Sequence, residues 1–192
     1  MSESRDIVIA GGGMVGVSLA LQLAAVLPEE TGICLVEGFP FPQPVDSGRP
    51  DYHPAFDARS TALSYSSSLI YEPIDSIHVS SRGRFGSTLM RADEYGWPAL
   101  GYVVENAWLG NSLIQALYRQ ARVEVRSPAR VLDARACGPG VALQLQAGEE
   151  IHSIQAALLV VADGAASGLR ERLGVAVDEK PYRQHALVAN VA

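Results

Sequence analysis

Ile7-Val8-Ile9-Ala10 runs without a break into Gly11-Gly12-Gly13-Met14-Val15-Gly16. The first four residues are apolar and mostly β-branched, the composition of a strand buried on both faces of a parallel sheet. A helix-forming stretch, Met14 to Leu27, follows the glycines and is stopped by Pro28. Ile33-Cys34-Leu35-Val36 reads as a second buried strand and ends at Glu37. Strand, glycine turn, helix and strand within about 30 residues make a βαβ unit, so the predicted class is α/β with a Rossmann-like core.

Gly11, Gly13 and Gly16 satisfy the spacing GxGxxG. The first permits a tight turn, the second lets a pyrophosphate approach the backbone, and the third lets the helix pack closely on the strand. The helix N–H groups and positive dipole end would then face phosphate. A purely structural glycine turn is the competing reading. An acid 21 residues beyond Gly16, at a strand end, argues for dinucleotide binding. Glu37 can accept from both ribose hydroxyls and would repel a 2′-phosphate. FAD and NAD share the ADP moiety, so the motif leaves that choice open.

Outward from this unit, Gly38 to Pro54 is rich in Pro, Gly and Asp and predicts a surface excursion. Asp57 to Glu72 reads as a helix. Strands are expected over Ile74–Val79, Thr88–Arg91 and Tyr102–Glu105. Trp108 to Arg122 has helical spacing, with Leu109, Leu113, Leu117 and Ala121 on one face. Val123–Ser127, Arg130–Ala136, Val141–Gln146, Ile151–Gln155 and Leu158–Val161 follow as strands. A short helix runs through Leu173, and Ala186–Val191 is a last strand-like run. The expected division is a nucleotide-binding core over 1–72 and 107–175, with a β-rich unit over 73–106 and 176–192.

The chain has 192 residues, 48% hydrophobic and 19% charged, enough apolar surface to offset the entropy of folding. A net charge of −6 argues against nucleic acid as a partner, which needs a basic face. Cys34 and Cys137 lie far apart, so neither a disulfide framework nor a zinc site is indicated, and a cytoplasmic location fits. His53, His78, His152 and His185 lack ligand spacing and read as surface or hydrogen-bonded residues; no metal is expected. Ile7 to Leu27 holds 21 residues without a charge, long enough to cross a bilayer, but the triple glycine divides it. Glu3 and Asp6 beside Arg5 do not make the positive n-region of a signal peptide.

Two further segments carry chemistry. In Asp57-Ala58-Arg59-Ser60-Thr61-Ala62-Leu63 an arginine follows a long loop, placed to bring a guanidinium to a diphosphate or flavin edge. In Ala162-Asp163-Gly164-Ala165-Ala166-Ser167-Gly168-Leu169-Arg170 a buried strand delivers Asp163 and Gly164 to a helix start, and an Asp helix cap is the plain alternative. His78, Arg82 and Arg84 read as a solvated hairpin, and Trp97 and Trp108 as core or rim. Tyr182 and His185 precede the last strand-like run, but pattern gives them no geometry, and no catalytic side chain is assigned.

Taken in order, Gly11 to Gly16 with Glu37, the Asp57–Leu63 segment and the Ala162–Arg170 segment resemble the flavin-dependent aromatic hydroxylases related to para-hydroxybenzoate hydroxylase. The stretches Asp57–Glu72, Pro73–Gly86 and Ala99–Asn106 resemble its ubiquinone-biosynthesis branch, nearest to the hydroxylases of octaprenyl-methoxyphenol. The resemblance implies FAD as cofactor and NAD(P)H as co-substrate. Gly11, Gly13, Gly16 and Glu37 match the ADP fingerprint, and Arg59 matches an arginine near the FAD phosphates. Asn106 matches an amide near the ribityl chain, and Val131 lies on the strand whose backbone meets adenine. Asp163 and Gly164 match a motif serving both FAD and the transient NAD(P)H site.

The implied reaction reduces FAD with NAD(P)H, forms a flavin C4a-hydroperoxide with O₂ and hydroxylates a polyprenylated phenol. The isoprenoid tail implies transient contact with a membrane or with the ubiquinone-biosynthesis complex, peripheral to the inner membrane. An NAD(P)H dehydrogenase or reductase on the same βαβ unit, and a non-catalytic FAD-binding fragment, are the alternatives. The family continues into a second FAD segment beyond the equivalent of Ala192 and carries a helical stretch between the equivalents of Glu72 and Pro73. An incomplete version of the family fold, poorly soluble and inactive as these residues alone, is therefore expected.

Overall fold

A computed structural model of the chain describes residues 3–45, 50, 53–56, 60–63, 72–181, 183 and 186–187. In chain order the strands are β1 (Glu3–Ala10), β2 (Ile33–Val36), β3 (Ser60–Leu63), β4 (Glu72–Pro73), β5 (Ser76–Ser80), β6 (Ser87–Arg91), β7 (Tyr102–Glu105), β8 (Val123–Arg126), β9 (Arg130–Cys137), β10 (Gly140–Ala147) and β11 (Glu150–Val161). The helices are α1 (Met14–Val26), α2 (Asn106–Arg119) and α3 (Gly168–Arg172).

The main sheet has the order β8-β2-β1-β11-β10-β9. β8, β2, β1 and β11 run parallel, while β10 and β9 form an antiparallel meander on β11. Alternation along the strands sorts their side chains. Ile9, Ile33 and Leu35 face α1 and α2 and pack with Val17, Ala20, Ala24, Ile114 and Leu117. Val8, Ala10, Cys34 and Val36 join a second core with Leu143, Leu145, Ile154 and Leu169. The antiparallel β3-β7-β4 sheet and the exposed β5–β6 hairpin complete the described strands.

The βαβ unit forms as the sequence predicts, and five other expectations change. Ser60–Leu63 is a strand, not part of a helix over 57–72, because its backbone pairs with Tyr102–Glu105; 64–71 lie outside the described residues. Of the expected Ile74–Val79 strand, Ser76–Val79 lie in β5, on β6, while Ile74 and Asp75 belong to no strand and β4, on β7, precedes them. Ile151–Gln155 and Leu158–Val161 are one strand, since β10 and β1 supply continuous partners on either side of Ala156 and Ala157.

The buried face of α2 is Asn106, Gly110, Ile114 and Leu117, one residue round from the predicted leucine face. Gly110 lies on the Phe56 ring, where a Cβ would come within 2.4 Å, and a bare backbone there turns this face inward. Ala186 and Leu187 belong to no strand, and 188–192 lie outside the described residues. His78, Arg82 and Arg84 are on the exposed hairpin as expected, and Trp97 stacks on Tyr95 at the surface.

Cys34 is fully buried, and Cys137 is exposed. Burial, reinforced by the Glu124 carboxylate, pushes the Cys34 thiol up from 9.0 to about 11. The native state therefore holds this proton more tightly than the unfolded chain. The stability this confers is complete below about pH 9 and is lost as pH rises towards 11. In a native protein one thiol should react with a disulfide reagent, the second only in denaturant; Cys137→Ser should remove the fast phase and leave the slow one.

Candidate functional site

The carboxyl ends of β1, β2 and β11, with the start of β9, surround a cleft of about 650 Å³. This is where open parallel sheets bind ligands. Gly11 is fixed at its base: its N–H donates to the Val36 carbonyl at 2.8 Å, and the Ala162 N–H donates to the Ala10 carbonyl at 2.7 Å. At φ +111°, a Cβ on Gly11 would lie 2.3 Å from the Ala162 oxygen and 2.7 Å from the Asp163 nitrogen. Two motifs about 150 positions apart in sequence are thus in backbone contact. A Cβ on Gly16 would meet the Gly11 carbonyl oxygen at 1.9 Å, so α1 approaches the turn as the spacing predicts.

Gly13 differs from both. Its φ is −73°, and a Cβ there would meet nothing nearer than the Ala55 oxygen at 3.5 Å. It lines the cleft and is the N-cap of α1, which receives no side-chain cap and has no acidic residue in its first turn. The first amides of a 13-residue helix therefore stay available to an anion.

Glu37 is 7% exposed and braced between two parts of the cleft wall. Its Oε2 accepts from the Gly12 N–H at 2.6 Å and its Oε1 from the Phe39 N–H at 2.9 Å. Each oxygen retains a second lone pair, so the carboxylate is held in place and still able to accept from hydroxyls. Val131, on β9, also lines the cleft.

Asp163 and Gly164 line the cleft from the end of β11. The helix-cap alternative for Asp163 fails, because α3 is capped by Ser167, whose Oγ accepts from the Arg170 N–H at 3.0 Å. The Asp163 carboxylate has no hydrogen-bond or ion-pair partner among the described residues. Gly164 has φ +90°, a conformation that accounts for glycine there.

Six of the nine sequence-predicted positions, Gly11, Gly13, Glu37, Val131, Asp163 and Gly164, meet in this cleft. Gly16 supports it from behind. Asn106 opens α2, 3% exposed, and is not among the lining residues. Arg59, Tyr182 and His185 lie outside the described residues. No cluster of three metal-binding side chains occurs among the described residues.

The sequence reading missed the wall beyond Glu37. Gly38 and Phe39 belong to the cleft although their segment reads as a surface excursion. That segment is tied down at Val45, which exchanges hydrogen bonds with the Asn111 side chain at 2.9 and 3.0 Å. His53 is 4% exposed and lies among Phe39, Phe41 and Phe56; its Nδ1 accepts from the Ala55 N–H at 3.2 Å, which holds the turn facing Gly13. The signal available in sequence was Gly38 itself, directly after the strand-end acid.

No protein-family model matches the chain. It is 31% identical over 198 residues to a 3-demethoxyubiquinol 3-hydroxylase of Escherichia coli (strain K12), covering 99% of this chain and 49% of that protein. It is 29% identical over 201 residues to ubiquinone hydroxylase UbiL of Rhodospirillum rubrum, covering 97% and 43%. The chain spans about half the length of the curated relatives it matches.

Three solved structures share the fold, each at 17% sequence identity. Against p-nitrophenol 4-monooxygenase PnpA from Pseudomonas putida DLL-E4 the TM-score is 0.65, over 92% of this chain and 45% of the other. Against the flavin-dependent monooxygenase PieE, solved with FAD and substrate, it is 0.68 over 91% and 33%. A geranylgeranyl bacteriochlorophyll reductase-like protein from Thermoplasma acidophilum gives 0.67 over 90% and 42%. The α/β architecture of these three structures is therefore that of this chain.

Gly13→Ala and Gly16→Ala should separate binding from folding. The first adds a methyl group to open cleft space and should keep the thermal midpoint while weakening ADP binding at least tenfold. The second drives a methyl group into a backbone carbonyl and should cost about 2–4 kcal/mol in urea unfolding.

Proposed function

We propose that the chain is the FAD-binding part of a ubiquinone-biosynthesis hydroxylase, a flavin monooxygenase that uses NAD(P)H and O₂ to hydroxylate a polyprenylated phenol. The observation that carries this is the contact between Gly11 and Ala162–Asp163, which assembles the glycine turn, Glu37, Val131 and Asp163-Gly164 around one cleft. The likeness to two ubiquinone hydroxylases over almost the whole chain supports the substrate class.

The residues present fit the ADP half of the cofactor. The space beside Gly13 and the uncapped amides of α1 accept a pyrophosphate. Glu37 accepts from the ribose hydroxyls, and its charge disfavours a 2′-phosphate there, so NADPH would not occupy this subsite. Val131 meets adenine through its backbone, and Asp163 and Gly164 serve the far end. Arg59 and Asn106 stand as proposed ligands of the phosphate and ribityl regions. Bound FAD would supply the redox chemistry: two electrons from NAD(P)H allow one atom of O₂ to enter the phenol ring and the other to leave as water.

The work left to the protein is to bind, orient and exclude water. No helix among the described residues is long and apolar enough to cross a membrane. The isoprenoid tail of the substrate is proposed to meet a membrane or lipid carrier transiently, from the cytoplasmic side. The β-rich segment over 73–106 is proposed, together with 176–192, as part of a substrate wall distinct from the core over 1–72 and 107–175. The second reading, a reductase without oxygen chemistry, draws on the reductase-like neighbour.

The purified protein should carry yellow flavin, and a polyprenylated phenol should stimulate its consumption of NAD(P)H and O₂ together. Turnover indifferent to O₂ would select the reductase. Glu37→Gln should lower FAD affinity about tenfold, because the amide NH2 can accept neither from a ribose hydroxyl nor from one of the two backbone amides that brace the side chain. Unchanged FAD affinity in that variant would remove Glu37 from the site.

A further inference from the structure

Beyond Glu37 the cleft wall carries a pair of side chains to which no role has been given. The Arg130 guanidinium carbon lies 5.5 Å from the centroid of the Phe39 ring, over its face. Both residues line the cleft, Phe39 from the exit of β2 and Arg130 from the first position of β9. Gly38 makes the arrangement fit: a Cβ there would come within 2.8 Å of Arg130 Nε and 3.2 Å of its Cγ. Gly38 has no positive φ to explain it, and its bare backbone leaves room for the close passage of this arginine. The guanidinium has no hydrogen-bond or ion-pair partner among the described residues. Its charge and five N–H donors remain available at the cleft wall.

The braces on Glu37 give this wall a direction. One carboxylate oxygen is held by the glycine turn through Gly12, the other by Phe39. A dinucleotide with its phosphates at the turn and its ribose at Glu37 therefore meets Phe39 and Arg130 next, at the base. We propose that Arg130, spread on Phe39 and seated across Gly38, is the stacking platform for the adenine base, a planar cation on which a purine can lie. The proposal rests on the ADP-binding reading of the cleft and adds the side chains that read the base.

Titration of the purified protein with FAD, followed by flavin fluorescence, and displacement of FAD by ADP test this. Arg130→Ala should weaken FAD and ADP by the same factor, about tenfold, at an unchanged thermal midpoint of the unliganded protein. Arg130→Lys keeps the charge but not the planar group, and should bind as poorly as the alanine variant. Gly38→Ala should reproduce the loss, and combined with Arg130→Ala should add nothing. Wild-type affinity in Arg130→Ala, full affinity in Arg130→Lys, a loss for FAD without one for ADP, or additive losses in the double variant would each overturn the platform. A wild-type protein that binds neither FAD nor ADP would overturn the cofactor reading and the platform with it.

Discussion

The structure turns on a place where two stretches of backbone touch. Gly11 sits against the Ala162 carbonyl with no room for a single carbon atom, and Gly16 sits equally close to the Gly11 carbonyl. β1 thereby lies between β2 and β11 with its end open and α1 drawn tight against it. Any side chain at Gly11 or Gly16 would part these elements, and the cleft is the space their close approach leaves at the strand ends. Hydrophobic burial stabilises the two cores, but this steric contact sets where the strand ends lie relative to one another.

Glu37 extends the arrangement from the turn to the rest of the wall. A carboxylate 7% exposed is costly unless bonded, and here two backbone amides from opposite sides offset its loss of water. The same bonds tether the loop after β2, so a residue suited to bind ribose also positions Phe39. His53 does comparable work for the turn that faces Gly13. A small number of polar groups thus hold the cleft in shape.

The parts legible from sequence were those governed by local chemistry. Three glycines at fixed spacing, an acid at a strand end and four-residue apolar runs announce the βαβ unit, because turn, helix and buried strand each leave a short-range signature. Ser60–Leu63 was misread as helix because its strand state depends on β7, some 40 positions away, to which local propensity is blind. The inward face of α2 differs from the leucine face because Gly110 and Asn106 rank as poor core residues by type, and the Phe56 ring that seats Gly110 comes from elsewhere in the chain. The helix-cap alternative for Asp163 is excluded only in three dimensions, where Ser167 occupies that position. Arg130 and Phe39 left no signal in sequence, since neither belongs to a motif and their meeting is a tertiary event.

The long strand β11 has a consequence for synthesis. It is the last strand of the main sheet to be made, yet it lies in the middle, parallel to β1 on one side and antiparallel to β10 on the other. While a ribosome is still producing the first 150 residues, β1 has only β2 for a neighbour, and the apolar edge meant for β11 stays uncovered. Sheets that close through such distant pairing form slowly and expose sticky edges meanwhile. The nascent chain must therefore carry an unfinished edge until β11 emerges, the period in which a chaperone has the most to protect.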